Sequence, residues 1–557
     1  MRSVDAGAAA LGGGFRWLRP TVWGLVLAYA AIGLWAMCIA PRVPYADAWR
    51  FLAHFLDAPF PRDVLAPDNG HHEVLPNLVR VVDLHVFAAA QWLQIAVGIA
   101  LALATSAVLW RSARALQDAD ARAAAVLSAT VGVFWLGNVR VLAHANETVH
   151  AYCVTLFVAA GLQVLARADL SRKGTGAATL AAACGLLAAF SFGSGIAGFA
   201  GFAAVLSMRR AHWRHWLVLA AGLFATLALL HWSGGTGAAP GLDPLSQAGA
   251  LMRWLAGPFV YAAWPALDPA VAAQVPVGFV RDPMLGLANA YQATYGPVML
   301  ARWPHLLIGM AGFALLGLQG VRTWRRPIAT ALLGIGLSWF ALAVGALIAV
   351  VRAEYFHVHP EQLLASRYLV WASLFWSGLA ISAVAHARHA RQALAIAMVV
   401  ALLLLPSQAW MAELGLRMVH VAERTAVAGA VDVVEPGLEL GETDPVDLAA
   451  ALPRLRAARA AMFAWPESAW LQRTPPPQAL ALLAPVDMQV VQVGNRQGPS
   501  GRRVTFRAAD VAGPRLLLID RDGVVRGLAL RDGGSDRWLG WMRGVRANAA
   551  PSVATLR

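Results

Sequence analysis

The sequence is poor in charged residues, in lysine and in cysteine. Only 14% of its 557 residues are charged, against about 25% in a typical soluble domain. Hydrophobic residues make up 59% of the chain, and its mean hydropathy is +0.56. This composition excludes an ordinary soluble globular protein and indicates a polytopic membrane protein. The three cysteines, Cys38, Cys153 and Cys184, all fall in apolar segments, which excludes a disulfide framework.

Lysine is almost absent, because Lys173 is the only lysine among 45 basic residues. A bias of this kind is typical of a GC-rich bacterial genome. The arginines are scattered over short loops instead of clustering on one face, so we expect no nucleic-acid partner. The basic residues next to span ends at 2–19, 111–122, 167–173, 209–214, 322–326 and 388–391 all fall on one side of the membrane if the amino terminus is cytoplasmic, as the positive-inside rule requires. The loops rich in Asp, Glu, Asn and Tyr then face outward, which predicts a bacterial inner-membrane protein with its chemistry in the periplasm.

The number of membrane spans follows from the apolar segments. A spanning helix needs about 20 apolar residues, and about eleven segments come close to that length. They cover residues 21–39, 84–110, 123–142, 151–166, 177–191, 195–208, 216–232, 303–321, 328–351, 368–385 and 393–410. The two that flank residues 191–195 are short and could be tilted or partly re-entrant. No cleavage pattern follows the first span, so we expect it to be a retained anchor.

These spans predict a mainly α fold with two domains. Residues 1–20 form a cytoplasmic segment, and residues 21–410 form a membrane helix bundle with outer loops at 40–83, 233–300 and 352–367. An odd number of spans places the carboxyl terminus outside, so residues 411–557 form a periplasmic domain. That domain is expected to be helical over 413–485 and β-rich over 487–545, as an α/β or β-sandwich unit. Predicted strands lie at 488–493, 503–507, 515–519, 524–530 and 538–542, with Asp520-Arg-Asp-Gly523 as a hairpin turn.

The first outer loop contains an acid close to the membrane surface, in Tyr45-Ala-Asp47-Ala-Trp49. A carboxylate in this place can take the proton from an acceptor hydroxyl while that oxygen attacks a sugar carbon. Asp47 is therefore a candidate general base, and Trp49 could line a sugar site. The alternative is an ordinary loop acid beside an interfacial tryptophan.

A second polar group, Asn69-Gly-His71-His72-Glu73, precedes the second span. Its side chains could hold a hydroxyl, a phosphate or a divalent metal. The sequence lacks the i, i+4 histidine spacing of a helical zinc site, so a metal is not favoured. Hydrogen bonding to substrate or to Asp47 is the main functional interpretation, and a solvated loop is the alternative. Arg80 and Asp83 are spaced i, i+3, which favours a structural ion pair between them.

Arginines near other outer span ends are candidates for binding phosphate. Arg140 lies near the end of the third span with Glu147 soon after it, and it could bind a lipid phosphate or snorkel to the headgroups. Arg352 and Arg367 border the last outer loop. Arg367 lies in Ser366-Arg367-Tyr368, whose hydroxyls could assist a phosphate cradle formed by the planar guanidinium groups. The alternative is that this loop is an interfacial anchor.

These motifs resemble those of the GT-C superfamily of polytopic glycosyltransferases, which take sugars from polyprenyl-phosphate carriers. The resemblance is to a bacterial branch with an acid-x-Trp in the first outer loop, an N-E-H-R…P cluster before the second span, and an S-R-Y that opens a late span. The corresponding segments here are Asp47-Ala-Trp49, Asn69-Gly70-His71-His72 with Pro76, and Ser366-Arg367-Tyr368. Gly70 and His72 depart from that pattern, and the pair of adjacent acids common in the family is reduced to Asp47.

The resemblance covers roughly residues 17–410 and implies that Asp47 is the general base and that arginines hold the lipid phosphate. The expected partners are a polyprenyl-phosphate sugar donor, membrane lipids and an envelope glycan, lipid or protein acceptor. We expect no cofactor, because one base and one cationic clamp suffice for this chemistry. An envelope polysaccharide polymerase or ligase is an alternative. A non-enzymatic transporter is another, but it would place its charges at mid-membrane in paired repeats.

Overall fold

The computed structural model describes residues 17–557 except 69, 171–173, 235–242, 261–266, 274, 276, 298–302, 497, 510, 512, 533–535 and 545–549. Within these residues the chain is mainly helical, and its strands all come after residue 479. The α-helices, numbered over the described residues, are α1 (Leu18–Cys38), α2 (Ala48–Asp57), α3 (Arg62–Leu65), α4 (Val74–Phe87), α5 (Trp92–Ala113), α6 (Ala119–Phe134), α7 (Val139–Leu142), α8 (Ala145–Arg167), α9 (Gly174–Ala189), α10 (Gly198–Met208), α11 (Trp213–Trp232), α12 (Pro244–Leu255), α13 (Pro269–Ala272), α14 (Gly278–Tyr295), α15 (Trp303–Arg325), α16 (Ala329–Val351), α17 (Ala353–Val358), α18 (Ser366–Ala385), α19 (Ala390–Leu404), α20 (Ser407–Ala430) and α21 (Pro445–Ala458).

Eight helical segments in the described part of the chain are long and apolar enough to cross a membrane: α1, α5, α6 together with α7, α8, α11, α15, α16 and α18. Helices α19 and α20 are bent by 44° at the break before Ser407 and make a ninth span if they are taken as one. Helix α9 and the segment Gly193–Met208 are shorter apolar helices. The predicted multi-pass, mainly helical fold is confirmed, and each of the eleven predicted segments overlaps one of these helices.

The predicted segment 84–110 starts too early. Helix α4 ends at Phe87 and α5 begins at Trp92. Asp83 explains the break, because its carboxylate accepts hydrogen bonds from the backbone N–H groups of Gln91 and Leu93, at 2.9 and 2.8 Å. These donors lie at the amino end of α5, where the first turn of a helix lacks intrahelical partners.

Helices α9 and α10 connect the two ends of the bundle. Helix α8 ends at Arg167, and Gly174 at the start of α9 packs against His215 near the start of α11. The turn between α9 and α10 lies at the opposite end, where the ring of Phe192 is 4.5 Å from that of His71. The two short helices therefore connect the arginine-rich loops with the polar outer loops.

The carboxyl-terminal domain ends in one antiparallel seven-stranded sheet, in the order β1-β7-β4-β5-β6-β3-β2. The strands are β1 (Leu480–Leu483), β2 (Val486–Val493), β3 (Gly501–Arg507), β4 (Arg515–Ile519), β5 (Val525–Arg531), β6 (Arg537–Arg543) and β7 (Ser552–Leu556). The five predicted strands match β2 to β6, whereas β1 and β7 were not predicted. Asp520 forms the β4–β5 turn, since its carboxylate accepts from the N–H groups of Asp522 and Val524, both at 2.9 Å.

The first outer loop and the carboxyl-terminal domain share one hydrophobic core. Trp49 and Phe51 of α2 are buried in the same cluster as Val427 of α20, Leu448 of α21 and Trp541 of β6. Burying aromatic side chains of this size is strongly favourable, at roughly 25 cal/mol per Å² of apolar surface. The shared core places the start of α2 and the segment before α21 at the same rim of the molecule.

A long apolar cavity of about 720 Å³ runs between α6, α18 and α19. Leu127, Trp376 and Ile396 contribute to its walls, and Arg388 lies at its arginine-rich end. Trp135, at the other end, immediately precedes the short segment that carries Arg140. The cavity therefore extends toward the polar outer loops.

Candidate functional site

Two arginines from different helices converge on one carboxylate at the outer rim. Glu442, in the turn before α21, accepts from Arg140 Nε and Nη2, at 3.1 and 3.2 Å. Its Oε2 also accepts from Arg367 Nη1 at 3.2 Å. Arg140 Nη2 lies 2.8 Å from Glu147 Oε1 as well. We call Arg140, Glu147, Arg367 and Glu442 the open cluster, because the side chains of Glu442 and Arg367 are 43% and 28% exposed.

Aromatic rings hold the buried arginine of the open cluster in place. Arg140 is almost completely buried, and its guanidinium carbon lies 5.2 Å from the centre of the Tyr45 ring. His144 packs edge-on against Tyr45 at 5.5 Å and also hydrogen-bonds Arg140. Burial and the charge of Arg140 lower the pKa of His144, so this ring is neutral near pH 7. Arg140 therefore does not snorkel to the headgroups but is fixed in a rigid, paired position.

A second cluster of similar chemistry is closed to solvent. Glu73 Oε2 lies 2.6 Å from Arg80 Nη1 and 3.5 Å from His150 Nδ1. The side chains of Glu73 and Arg80 are only 4% and 2% exposed, and we call these three residues the sealed cluster. Burial opposes ionisation of Glu73, but Arg80 and His150 outweigh it and lower its pKa to about 2. The predicted Arg80–Asp83 pair is wrong, because Asp83 caps α5 and Arg80 reaches back to Glu73.

His71 of the first outer loop lies beside the sealed cluster and near Arg352 of the last outer loop. Its ring packs on Phe192, and a Cβ at residue 193 would come within 2.4 Å of Nδ1, so only glycine allows this approach. Burial is the main cause that lowers the pKa of His71, and the nearby charge of Arg352 adds to it. His72 is buried separately, with Nε2 3.1 Å from Ser233 Oγ. Asn69 lies outside the described residues.

Asp47 and Trp49 have opposite surroundings. The Asp47 carboxylate is 55% exposed and its Oδ1 lies 3.2 Å from Arg50 Nη1. Arg50 also pairs with Asp68 at 2.7 Å and with Asp447 of α21 at 3.1 Å, so it ties the first loop to the carboxyl-terminal domain. Trp49 is fully buried in the core that these two regions share. Its ring presents no surface to a sugar, in contrast to the expected role.

The predicted arginine cradle is divided between two places. Arg367 donates to Gln362 Oε1 at 3.0 Å and lies over the ring of Tyr368 at 5.1 Å. Ser366 is the first residue of α18, as predicted from the sequence. Arg352 is half-buried at the end of α16, near His71, and the two arginines share no bonded partner among the described residues. The second arginine beside Arg367 is Arg140, because both pair with Glu442.

Among the described residues, no group of three or more His, Cys, Asp or Glu side chains is placed to hold a metal ion. The open cluster is instead suited to an oxyanion, since two guanidinium groups with charge-assisted N–H donors face one acceptor group. The exposed carboxylate of Asp47 lies on the same rim. An anion site beside an accessible base is the arrangement that acid–base group transfer requires.

The motifs of the sequence did not identify Glu442 of the open cluster, nor His144 and Arg50, which contact Arg140 and Asp47. Glu442 is 302 residues from Arg140 and 75 from Arg367 along the chain, so no local spacing links them. The available signal is the segment Gly441-Glu-Thr-Asp444-Pro445, in which Asp444 caps α21 and proline occupies its first turn. That signal predicts the start of a helix but not an acid that reaches into the membrane domain.

No family model matches the chain, and a search of curated proteins returns no match. The solved structures with which it aligns include the oligosaccharyltransferase of Archaeoglobus fulgidus crystallised with zinc and sulfate, at 14% identity and a TM-score of 0.35, over 76% of this chain and 58% of that one. The archaeal oligosaccharyltransferase AglB from Archaeoglobus fulgidus, in complex with an inhibitory peptide and a dolichol-phosphate, aligns at 13% identity and a TM-score of 0.35, over 79% of this chain and 64% of that one. ArnT from Cupriavidus metallidurans aligns at 14% identity and a TM-score of 0.33, over 88% of this chain and 99% of that one.

The chain thus spans less than two thirds of the length of the oligosaccharyltransferases with which it aligns.

Proposed function

We propose that this protein is an integral-membrane glycosyltransferase that moves a sugar from a polyprenyl-phosphate carrier to a cell-envelope acceptor. The observation that carries the proposal is the convergence of Arg140 and Arg367 on a single acidic group. A lipid phosphate has the charge and the paired oxygen acceptors that such a pair of guanidinium groups binds. The reaction is transfer of a hexosyl or pentosyl group with the lipid phosphate as leaving group.

In this mechanism Asp47 is the general base. It takes the proton from the acceptor hydroxyl as that oxygen forms a bond to the anomeric carbon, and the bond from that carbon to the phosphate oxygen breaks. Arg140 and Arg367 stabilise the negative charge that develops on the departing phosphate. Glu73 is another acid in the first outer loop that could supply the base, but its burial, its pairing with Arg80 and its pKa of about 2 make it a poor proton acceptor.

The lipid chain of the donor would lie in the apolar cavity between α6, α18 and α19. The outer end of this cavity is formed by Trp135 and Ser373, and the Ser373 hydroxyl donates to Asn138, two residues before Arg140. A chain in the cavity would therefore bring its phosphate to the rim where Arg140 lies. Apolar walls are suited to a polyprenyl tail, because its burial is favourable and makes no demand for hydrogen bonds.

We further propose that the protein lies in the bacterial inner membrane, with its amino terminus cytoplasmic and the open cluster in the periplasm. The arginine asymmetry of the loops supports this orientation. Alkaline phosphatase fused after Arg557 is expected to be active, and green fluorescent protein at the same site is expected to be dark. An inactive phosphatase fusion together with a fluorescent green fluorescent protein fusion would show the opposite orientation.

The activity is tested with vesicles that contain the purified full-length chain, an envelope extract and a panel of polyprenyl-monophosphate hexoses and pentoses. We expect sugar transfer by the wild type, and at least tenfold less transfer at low donor concentration by Arg367→Ala. Arg417→Ala is the matched control, because Arg417 pairs with Glu439 on the exposed surface of the carboxyl-terminal domain. Equal transfer by wild type and Arg367→Ala would remove the open cluster from the donor site.

A further inference from the structure

Glu442 is the acidic member of the open cluster that can leave it. Its side chain is 43% exposed, whereas that of Glu147 is 11% exposed and lies beneath Arg140 and His144. Glu442 sits in a turn between Gly441 and α21, and Thr443 anchors that turn by accepting a hydrogen bond from the N–H of Ala46 at 3.0 Å. A change of rotamer can therefore move the carboxylate without moving the helix.

The charges of the open cluster sum to zero when Glu442 is in place. Two arginines face two carboxylates, and burial keeps His144 neutral. If the Glu442 carboxylate swings out, Arg140, Arg367 and Glu147 leave one net positive charge. The phosphodiester of a polyprenyl-monophosphate sugar carries one negative charge and presents two free oxygens, as the carboxylate does. A diphosphate would overcompensate the site by one charge.

We propose that Glu442 occupies the donor-phosphate position in the free protein and exchanges one-for-one with the phosphodiester of a lipid-monophosphate sugar. Glu442 is then a specificity residue. It competes with weakly binding anions for the arginine pair, and its departure leaves one positive charge for a monoanionic head group. This inference rests on the proposed function, since it requires that Arg140 and Arg367 bind the donor phosphate.

The test is direct binding of two probes, a polyprenyl-monophosphate hexose and the corresponding polyprenyl-diphosphate hexose, to the full-length chain in lipid nanodiscs. Glu442→Gln keeps the shape of the side chain and removes its charge, so we expect roughly tenfold tighter binding of the monophosphate. Glu442→Asp keeps the charge and should bind like the wild type. Glu439→Gln is the matched control, because Glu439 is also a half-exposed acid paired with an arginine, three residues away. It should leave the affinity unchanged.

Two further measurements separate the possible failures. In wild type the monophosphate should bind more tightly than the diphosphate, and in Glu442→Gln/Arg367→Ala the gain should disappear. Unchanged or weaker monophosphate binding in Glu442→Gln, with Arg367→Ala still impaired, would overturn the exchange and leave the phosphate site intact. Tighter binding of the diphosphate by wild type would also overturn it. Unimpaired binding by Arg367→Ala would instead overturn the proposed donor site itself.

Discussion

The sealed and the open clusters are built from the same residue types, and their surroundings give them different properties. Glu73, Arg80 and His150 pair with one another inside the protein, where an ion pair is costly to break. Arg140 and Arg367 converge on a carboxylate that the carboxyl-terminal domain supplies at the solvent-exposed rim. A buried, closed group of charges fixes structure, whereas an exposed carboxylate on two arginines can be replaced by a ligand. A structural cluster therefore differs from a binding site in its burial and in which part of the chain supplies the paired carboxylate, more than in its residue types.

The largest expected effect is on the sealed cluster. Arg80→Gln leaves the Glu73 carboxylate buried without its main partner, which should destabilise the fold by about 3–5 kcal/mol. We expect a strongly lowered Tm in detergent or loss of folded protein. Arg417→Gln removes an exposed pair and should change Tm little. An Arg80→Gln variant with the wild-type Tm would contradict the structural role of this cluster.

The next effect belongs to the rim where the open cluster lies. Asp47→Asn should fold normally, because the side chain is exposed, and should lower kcat about 10²- to 10⁴-fold, the usual contribution of a general base. Asp47→Glu should retain part of the rate. Steady-state transfer at matched protein level measures this. If Asp47→Asn transfers sugar within a few-fold of wild type, the base lies elsewhere.

A conservative change at Arg367 should have a smaller effect. Lysine keeps the charge but lacks the planar guanidinium group, which can donate hydrogen bonds to two phosphate oxygens at once. Arg367→Lys should therefore raise the donor KM roughly tenfold and change kcat little. The comparison variant is Arg352→Lys, since Arg352 lies near His71 and outside the open cluster. Equal increases in KM for both variants would show that the donor site extends over both places.

The smallest effect is the pH dependence of stability near the sealed cluster. Burial lowers the pKa of His71 in the folded protein. As the pH falls, this histidine therefore binds its proton in the unfolded chain before it does so in the folded protein. Stability should therefore fall as the pH drops below about 6.5, the ordinary value for histidine. Glu73 stays ionised in that range, and the other titratable or charged groups near His71 are Arg352, His150 and Asp68. The Tm of His71→Gln should depend less on pH between 7 and 5, and an unchanged slope would exclude His71 as its source.

The sequence was sufficient for the elements whose signal is local. Apolar segments located the helices, strand-like segments located β2 to β6, and Ser366-Arg367-Tyr368 was correctly placed at the start of α18. Strands β1 and β7 were missed, and they pair with each other across more than seventy residues. The partners of buried charges were also missed, because ion pairs such as that of Arg140 with Glu442 join residues that are distant in sequence and meet only in the folded chain. Trp49 was misjudged for the same reason, since the distant carboxyl-terminal domain covers it.

The most direct test of the donor site is an experimental structure of the full-length chain in nanodiscs with a polyprenyl phosphate bound. We expect phosphate oxygens at about 2.7–3.2 Å from the guanidinium nitrogens of both Arg140 and Arg367, with the chain in the apolar cavity. The Glu442 carboxylate should be displaced from the two arginines. A phosphate bound beside Arg352 and His71, or at the arginine-rich end of the cavity near Arg388, would contradict the account.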